Sequence, residues 1–351
     1  MTKLISKPPE RAWLDVDLAA LIRNARRFQE LRKVPLLPMV KANGYGLGAL
    51  AVARALEDMA PWGYGVATAA EGAELRSGGI TRPIVVFTPL LPDRASVAGM
   101  QASALRPVID DLDALSAWVE ASGGPFHIEI DTGMSRCGFR WHDTDALKEL
   151  RGRLVRLPEW EGAFTHFHSA DTDPDSSLEQ LERFEDVLQS LGSRPPLVHY
   201  ANSAAAGLEL DASANLSRPG IFLYGGRAGT LDPEPVAKLR TRVVGLRRLR
   251  PGDTVSYGAE ARVETDTTIA TLSIGYADGV PRALGSRGLV ELPLGLALQH
   301  SQCIDQGLGH LSRIQLPSQL FCSRRQLALH CGFGLLGQSE HQRRRMGIHE
   351  S

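Results

Sequence analysis

The sequence predicts an α/β protein, a (β/α)8 TIM barrel followed by a smaller, mostly β domain. Eight short apolar runs alternate with amphipathic segments between residues 36 and 223, and eight parallel strands close such a barrel. After residue 230 the runs become longer and richer in β-branched residues, which is typical of antiparallel strands. The predicted boundaries are a leader of residues 1–11, a barrel of residues 12–230 and a second domain of residues 231–351.

The elements follow from these patterns in chain order. A short strand at residues 13–17 and a helix at residues 18–30 come first. The eight barrel strands are then predicted at residues 36–41, 63–67, 84–88, 105–109, 126–131, 162–166, 197–200 and 218–223. Helices are predicted between them at residues 49–59, 69–77, 112–121, 144–151 and 177–191. An open, doubly wound sheet is the alternative, but the glycines after the first barrel strand lack the GxGxxG spacing of a nucleotide loop.

Composition limits the classes of function. The chain has 351 residues, of which 43% are hydrophobic and 23% charged, as in globular proteins with room for two domains. A net charge of −1 offers no basic excess for a nucleic-acid partner. The sequence has no apolar run of membrane-spanning length and no signal peptide, which predicts a cytoplasmic protein. Its four cysteines form no CxxC pair, so we expect free thiols and no metal site.

One stretch, PMVKANGYGLG at residues 38–48, combines a buried strand, a lysine and several glycines. Burial disfavours the charged amine, and a lysine held partly neutral is a good nucleophile towards an aldehyde. Lys41 therefore suits a Schiff base, and the glycines that follow allow a ligand to approach the backbone closely. The alternative is a solvated lysine beside an ordinary glycine turn.

This string resembles the signature of bacterial alanine racemases, which are pyridoxal phosphate (PLP) enzymes on a (β/α)8 barrel. The resemblance extends over about residues 12–288. It implies that Lys41 carries PLP as a Schiff base and that Tyr45 contacts the cofactor phosphate. The full set of implied cofactor-binding residues is Lys41, Tyr45, His166, Asn202, Ser203, Arg218, Gly220 and Ile221.

The resemblance also places an arginine, Arg218, on the pyridine nitrogen, with His166 supporting it. Because an arginine does not give up its proton, that nitrogen should stay unprotonated, which weakens the electron sink and limits side reactions. Taken singly, these residues have structural alternatives. His166 could be a core histidine, Ser203 a helix N-cap, and Arg136, the implied substrate-binding residue, a surface ion pair.

Racemisation needs two bases on opposite faces of the α-carbon. The resemblance implies Lys41 for the D-enantiomer and Tyr276, in the GYADG string at residues 275–279, for the L-enantiomer. In the family this tyrosine reaches the PLP of the other subunit, so a homodimer is implied. A free phenol has a pKa of about 10, so we expect cationic neighbours, for which Arg136 and His166 are candidates. A structural aromatic at a strand end is the alternative for Tyr276.

One position inside the matching region departs from the family. Many members carry a carbamate-modified lysine two residues before the Asp of the DTGM string, where it holds the arginine. This chain has Glu129 there. We expect Glu129 to be anionic near neutral pH and to hold Arg136 without the modification, so that activity is independent of bicarbonate.

Residues 289–351 depart from the family more widely. They contain three of the four cysteines, lack the family's Met-Asp segment, and include no tyrosine after Tyr276. The segment has a suitable length, the wrong residues and a sharp onset, which together favour a shifted reading frame.

The predicted function is therefore an alanine racemase that acts through a substrate–PLP Schiff base and supplies D-alanine for peptidoglycan. Two alternatives remain open. One is a racemase of another small amino acid, such as serine. The other is a PLP-binding barrel protein that is inactive because of its aberrant C-terminus.

Overall fold

The computed structural model describes residues 11–208, 214–259, 261–281, 284, 289–291, 313–315 and 327–329. Two compact units divide at residues 17/18 and 236/237. The described residues between 18 and 236 form one unit, and residues 11–17 join the described residues from 237 onwards in the other. The predicted boundary at residues 230/231 lies near the second division.

The described strands and helices alternate through the first unit, and strands dominate the second. The strands are β1 (Ala12–Val16), β2 (Tyr64–Val66), β3 (Ile84–Val86), β4 (Arg106–Ile109), β5 (Phe126–Asp131), β6 (Phe139–Arg140), β7 (Trp160–Phe164), β8 (Leu197–His199), β9 (Ala237–Thr241), β10 (Val243–Leu249), β11 (Thr254–Val255), β12 (Ala261–Arg262), β13 (Thr267–Leu272), β14 (Leu289–Glu291), β15 (Arg313–Gln315) and β16 (Leu327–Leu329). The helices are α1 (Leu18–Arg32), α2 (Lys41–Tyr45), α3 (Ala49–Leu56), α4 (Ala69–Ser77), α5 (Arg94–Ala102), α6 (Leu112–Glu120), α7 (Thr144–Leu154) and α8 (Pro174–Ser190).

The parallel sheet of the first unit closes on itself. Its strands run in the order β2-β3-β4-β5-β7-β8, with β6 paired to β5. Residues 36–40 donate a backbone hydrogen bond to Gly65 of β2 at 2.8 Å and another to Ser217 at 2.7 Å. Residues 217–219 in turn donate to Ala201, just after β8, at 2.9 Å. These two extended segments therefore complete an eight-membered ring, and the predicted barrel is confirmed.

Side-chain caps explain where several barrel helices begin. Each cap accepts a hydrogen bond from an N–H group in the first helical turn, which has no partner inside the helix. The capping residues of α4 to α8 are Thr68, Asp93, Asp111, Asp143 and Asp173. Helix α8 begins three residues before its predicted start, because the cap and a proline in its first turn favour initiation there.

The barrel interior is apolar at the level of its middle strands. One buried cluster joins side chains from opposite sides of the ring, namely Leu37, Val85, Val108, Phe164 and Leu216. Each of them exposes at most 1% of its surface. This cluster ties the segment before Lys41 to β3, β4 and β7.

The second unit is built from antiparallel pairs. One sheet has the order β1-β9-β16-β14-β15, and two ladders pair β10 with β13 and β11 with β12. Strand β1, which the predicted boundaries group with the barrel, pairs with β9 along its whole length. A core cluster of Ala270, Leu272, Ile274 and Val290 lies in this unit.

Most of residues 289–351 lie outside the described residues, and only the backbones of β14 to β16 and the buried Val290 belong to the described part. The reading-frame hypothesis for this segment stays a prediction. In the part of the chain that the structure describes, no helix combines the length and the apolar character needed to cross a bilayer.

Because the barrel interior is closed and apolar, we expect a cavity beside the segment before Lys41 to lower the stability of the fold strongly. We expect Leu37→Ala, at a fully buried side chain, to lower the free energy of unfolding by about 2–5 kcal/mol. Leu31→Ala is the matched control, because Leu31 is 47% exposed and its loss should change stability by less than about 0.5 kcal/mol. Urea denaturation of both variants measures the difference, and equal effects would contradict this account of the core.

Candidate active site

Lys41 directly follows the extended segment 36–40, at the carboxyl end of the barrel strands. Its side chain is half-buried, and burial is the largest cause of its lowered pKa. The charge of Arg136 lowers that pKa further, Glu71 opposes the shift, and Arg218 adds to it. The neutral, nucleophilic amine is therefore more accessible than in a solvated lysine.

The backbone after Lys41 adopts an unusual turn. Ala42, Asn43 and Tyr45 have φ of 53°, 52° and 54°, and Gly44 between them has φ of 62°. Non-glycine residues rarely occupy this left-handed region, because the Cβ atom comes too close to the following carbonyl oxygen. The glycines of the string predict that a ligand approaches the backbone closely. Nothing in the sequence predicts that three non-glycine residues adopt a left-handed backbone here.

Tyr45 packs between a second tyrosine and a glycine. Its ring stacks on Tyr224 with 4.5 Å between centroids, and the Tyr224 hydroxyl donates to the Met39 carbonyl at 2.9 Å. A Cβ atom at Gly220 would lie 2.5 Å from the Tyr45 hydroxyl. Burial raises the pKa of Tyr45 to about 12, so the hydroxyl stays protonated and can donate. Tyr224 was missed by the sequence reasoning, although it immediately follows the eighth apolar run.

Ser203 and Asn202 have separate tasks. The Ser203 hydroxyl accepts from the N–H of Gly220 at 2.8 Å and from that of Phe222 at 3.3 Å, which leaves its own proton available for a ligand. Ile221 lies between these two donors. The side chain of Asn202 accepts two backbone N–H groups at 3.0 Å and caps the short 3₁₀ turn Ala204–Gly207. Ser203 thus stands at the N-cap position, but its side chain makes no capping bond, and Asn202 supplies the oxygen.

Arg218 is buried inside the barrel, with 3% of its surface exposed. Its guanidinium donates to the carbonyl of His199 at 2.7 Å and to that of Thr165 at 2.9 Å. It also lies over the ring of Phe164, at 4.9 Å from the centroid. Burial lowers its pKa to about 9, so the group is still a cation at neutral pH.

His166 lies beside this arginine, with its Nδ1 atom 3.4 Å from a guanidinium nitrogen. Since arginine can only donate, Nδ1 faces it as an acceptor and the ring proton sits on Nε2. Burial, followed by the charges of Arg218, Arg136 and Lys41, lowers the pKa of His166 to about 3. His166 is therefore neutral near pH 7, and the expectation that it acts as a cationic neighbour is wrong.

A chain of buried hydrogen bonds continues from Arg218 and was missed by the sequence reasoning. Arg218 approaches Nδ1 of His199 at 2.8 Å, and Nε2 of His199 lies 2.7 Å from Nδ1 of His127. Nε2 of His127 then approaches Glu161 at 3.3 Å. Because the first donor is an arginine, each neutral imidazole carries its proton on Nε2 and donates away from Arg218. The available signal was a histidine in each of the buried strands β5 and β8.

Glu129 is 4% exposed, and burial raises its pKa to about 7 despite the attraction of Arg136 and Arg218. The expectation of an anion throughout the neutral range is therefore wrong, because the desolvation cost exceeds the gain from the two cations. Arg136 itself is exposed, and no hydrogen bond or ion pair joins it to another residue within the described ranges.

Tyr276 belongs to the second unit and is 53% exposed, in the short turn Tyr276–Asp278. The guanidinium of Arg11 donates to the carbonyl of Ser273 at 2.8 Å and pairs with the carboxylate of Asp278. That carboxylate also accepts the N–H of Gly275 at 2.9 Å. Both ends of the turn are thus fixed while its aromatic ring stays at the surface. The sequence reasoning did not identify Arg11.

The residues of the barrel end fit PLP. Lys41 has the lowered pKa that a Schiff base needs, and the close contact between Gly220 and Tyr45 leaves no room for a side chain where a phosphate would approach the backbone. Arg218 provides a buried donor for a ring nitrogen. Of the predicted site residues, Lys41, His166, Arg218, Tyr45, Ser203 and Gly220 come together in the first unit, and Tyr276 lies in the second.

Comparison with protein families agrees with this geometry. The model of the alanine racemase N-terminal domain matches residues 16–228, and that of the alanine racemase C-terminal domain matches residues 236–294. The chain belongs to the alanine racemase family. The resemblance found in the sequence is confirmed, and it ends close to the predicted residue 288.

Individual alanine racemases match over most of the chain. The enzyme from Geobacillus stearothermophilus is 36% identical over 297 residues, which cover 78% of this chain and 73% of that protein. The solved alanine racemase from E. faecalis has a TM-score of 0.75 at 27% identity and covers 91% of this chain and 88% of its own. A structure from Bartonella henselae with covalently bound PLP has a TM-score of 0.73 at 26% identity, covering 93% and 88%.

The Tyr45–Gly220 contact makes PLP affinity sensitive to one methyl group. We expect Gly220→Ala to weaken PLP binding by at least about tenfold, because the new Cβ would lie 2.5 Å from the Tyr45 hydroxyl and must displace it. Gly99→Ala is the control, since nothing lies within 4 Å of its Cβ and α5 should gain about 0.5–1 kcal/mol. Absorbance titration with PLP measures both variants, and unchanged affinity of Gly220→Ala would exclude this contact from the cofactor site.

Proposed function

We propose that this chain is a PLP-dependent alanine racemase that interconverts L-alanine and D-alanine and so supplies D-alanine for peptidoglycan. The observation that carries the proposal is Lys41, a half-buried amine of lowered pKa at the barrel end that also holds Arg218. The family membership supports the same conclusion.

We propose the following roles around the cofactor. When bound, PLP supplies an electron-withdrawing ring that stabilises negative charge at the substrate α-carbon. Lys41 would hold the cofactor, and Arg218, with His166 beside it, would donate to the ring nitrogen. Because Arg218 remains protonated below its pKa of about 9, it does not supply a proton to that nitrogen near pH 7. The phosphate would be bound by Tyr45, Ser203, Gly220 and Ile221, while Asn202 holds the loop that carries Ser203.

Two side chains would move the α-proton. Lys41 takes it up or returns it at Nζ on one face of the α-carbon, for the D-enantiomer. Tyr276 does so at its phenolic oxygen on the other face, for the L-enantiomer. The surface position of Tyr276 on a fixed turn suits a residue that serves the site of a second subunit, so we propose a homodimer with shared sites.

Arg136 binds the substrate carboxylate in this proposal. Its exposed guanidinium has no competing partner among the described side chains, so its donors are available. Glu129 holds it by charge from inside the barrel. A cytoplasmic location without nucleic-acid or membrane partners is also proposed, on the balanced net charge of −1.

A second candidate is a barrel that binds PLP without racemising alanine. It is favoured by the end of the family match at residue 294, which leaves residues 295–351 beyond it. Translating the coding DNA in its other two frames from codon 289 tests the proposed frameshift. If neither frame encodes a Met-Asp segment and a late tyrosine, the segment is ordinary divergence.

One assay separates the candidates. Purified protein is incubated with PLP and either L-alanine or L-serine, and the D-enantiomer is measured together with the absorbance band of lysine-bound PLP. D-alanine formation supports the proposed function. Faster formation of D-serine would show that serine, rather than alanine, is the preferred substrate. A band without either product selects the PLP-binding protein.

We expect mutations to distinguish the roles of the two bases. Lys41→Ala should abolish both the absorbance band and racemisation, because it removes the attachment point and one base. Tyr276→Phe should leave PLP bound but slow racemisation by about 10²–10⁴-fold, the usual effect of losing an acid–base group. Primary isotope effects at the α-carbon, measured from each enantiomer, check the assignment. Effects that are equal in both directions and unchanged in Tyr276→Phe would exclude the two-base mechanism.

The raised pKa of Glu129 predicts that KM for alanine depends on pH. Its folded-state pKa of about 7 lies above the ordinary value, so the side chain is neutral below that pH and anionic above it. Since only the anion holds Arg136, we expect KM for alanine to fall by roughly threefold as pH rises through 7. Glu129→Gln should abolish this change and retain the higher KM throughout. The wild-type rate should be the same in bicarbonate-free and bicarbonate-containing buffer, and a bicarbonate requirement would contradict the role of Glu129.

A further inference from the structure

We propose that Glu71 is a positioning residue for Lys41, because its carboxylate ties the turn after Lys41 to the loop after β2. The inference rests on the proposed role of Lys41 as the PLP-binding lysine. Glu71 lies in the first turn of α4, the helix that follows β2.

Both oxygens of the Glu71 carboxylate are used, and they face different loops. Oε1 accepts the N–H of Ala42, the residue after Lys41, at 2.7 Å. Oε2 accepts the N–H of Ala67 at 2.7 Å and that of Thr68 at 3.2 Å. One side chain therefore joins the carboxyl ends of two neighbouring barrel strands.

Helix capping accounts for only half of this arrangement. Glu71 and Thr68 form a reciprocal capping box at the start of α4, in which the Thr68 hydroxyl accepts the Glu71 N–H at 3.3 Å. The bond to Ala42 lies outside that box and spans 29 residues of sequence. It points to a second task, which is to hold the backbone beside Lys41.

The backbone at this point needs such support. Ala42 begins the left-handed run in which Asn43 and Tyr45 also have positive φ. Non-glycine residues leave this region unless surrounding contacts hold them there. The other end of the run is held by Asn43, whose side chain accepts the N–H of Ala49 at 2.9 Å. Glu71 supplies the corresponding contact at the end that carries Lys41.

Charge adds to the geometry. Of the charged groups that shift the pKa of Lys41, Arg136 and Arg218 lower it and Glu71 raises it. Removal of the carboxylate should therefore lower the pH at which the Lys41 amine becomes neutral. A glutamine at this position keeps the shape but has one acceptor oxygen and an NH2 group, which can only donate. The loop after β2 offers two N–H donors and Ala42 only one, so the single oxygen should stay with that loop and the bond to Ala42 should be lost.

The test compares Glu71→Gln with Thr68→Ala in the full chain. Thr68→Ala removes one bond of the capping box and leaves the contact between Glu71 and Ala42 intact. Hydrogen exchange of residues 42–48 is measured in the PLP-loaded protein. The rate at which the protein, stripped of PLP, captures added PLP is measured against pH.

For Glu71→Gln we expect at least about tenfold faster exchange of residues 42–48 and weaker PLP binding by a similar factor, because a donor beside Lys41 loses its acceptor. The pH midpoint of PLP capture should move down. Thr68→Ala should speed exchange in α4 alone. Equal behaviour of the two variants, or no change in Glu71→Gln, would overturn the proposal and leave Glu71 as a helix cap.

A further variant guards against loss of folding. Glu71→Asp keeps the charge and both acceptor oxygens but is one methylene shorter, so it should speed exchange at residues 42–48 without moving the pH midpoint. An unchanged exchange rate in this variant would contradict the claim that the full length of the Glu71 side chain is needed to reach Ala42. These readouts do not involve alanine, so they remain decisive even if the racemase assay fails.

Discussion

The buried guanidinium of Arg218 is the constraint on which the site depends. A cation inside a barrel needs hydrogen-bond acceptors, and here carbonyl and imidazole groups accept from both terminal nitrogens of the guanidinium. As a permanent donor, Arg218 fixes the tautomer of His199 and, with burial, keeps His166 neutral. The same charge helps to lower the pKa of Lys41 and opposes the rise in the pKa of Glu129. Four titratable groups therefore take their protonation states partly from one residue.

The balance of charge at the barrel end depends on pH because the carboxyl of Glu129 ionises near neutral pH. Arg218, Arg136 and Lys41 are cationic groups that act on one another, whereas Glu129 pays a desolvation cost large enough to hold its pKa at about 7. A buried carboxyl takes up a proton when the pH falls below its raised pKa. The charge that Glu129 exerts on Arg136 therefore changes near neutral pH.

The geometry of the site comes from loops at the ends of different strands. The left-handed turn beside Lys41 presses Tyr45 against Tyr224 and leaves room only for glycine at position 220. Such close contacts position groups without flexible side chains, which suits a site that must hold one face of a planar ligand. The second unit uses a different device. A guanidinium from the chain before β1 fixes the turn of Tyr276 at both ends.

The sequence by itself determined the barrel, the mostly β second domain, and the family, because alternating apolar runs and the string around Lys41 are local patterns. It also located Lys41 at the end of the first barrel strand and Ser203 after the seventh, where parallel strands bring loops together. The eighth strand, predicted at residues 218–223, was placed wrongly, because residues 217–219 form the extended segment and residues 221–225 form turns. Only the tertiary structure decided that Asn202 rather than Ser203 supplies the cap, that Glu71 reaches Ala42, and that β1 pairs with β9. It also decided the protonation of Glu129 and His166, since burial and the distances to Arg136 and Arg218 set those pKa values. These features arise between residues far apart in the chain, and no local pattern records how deeply a side chain is buried or which charges lie beside it.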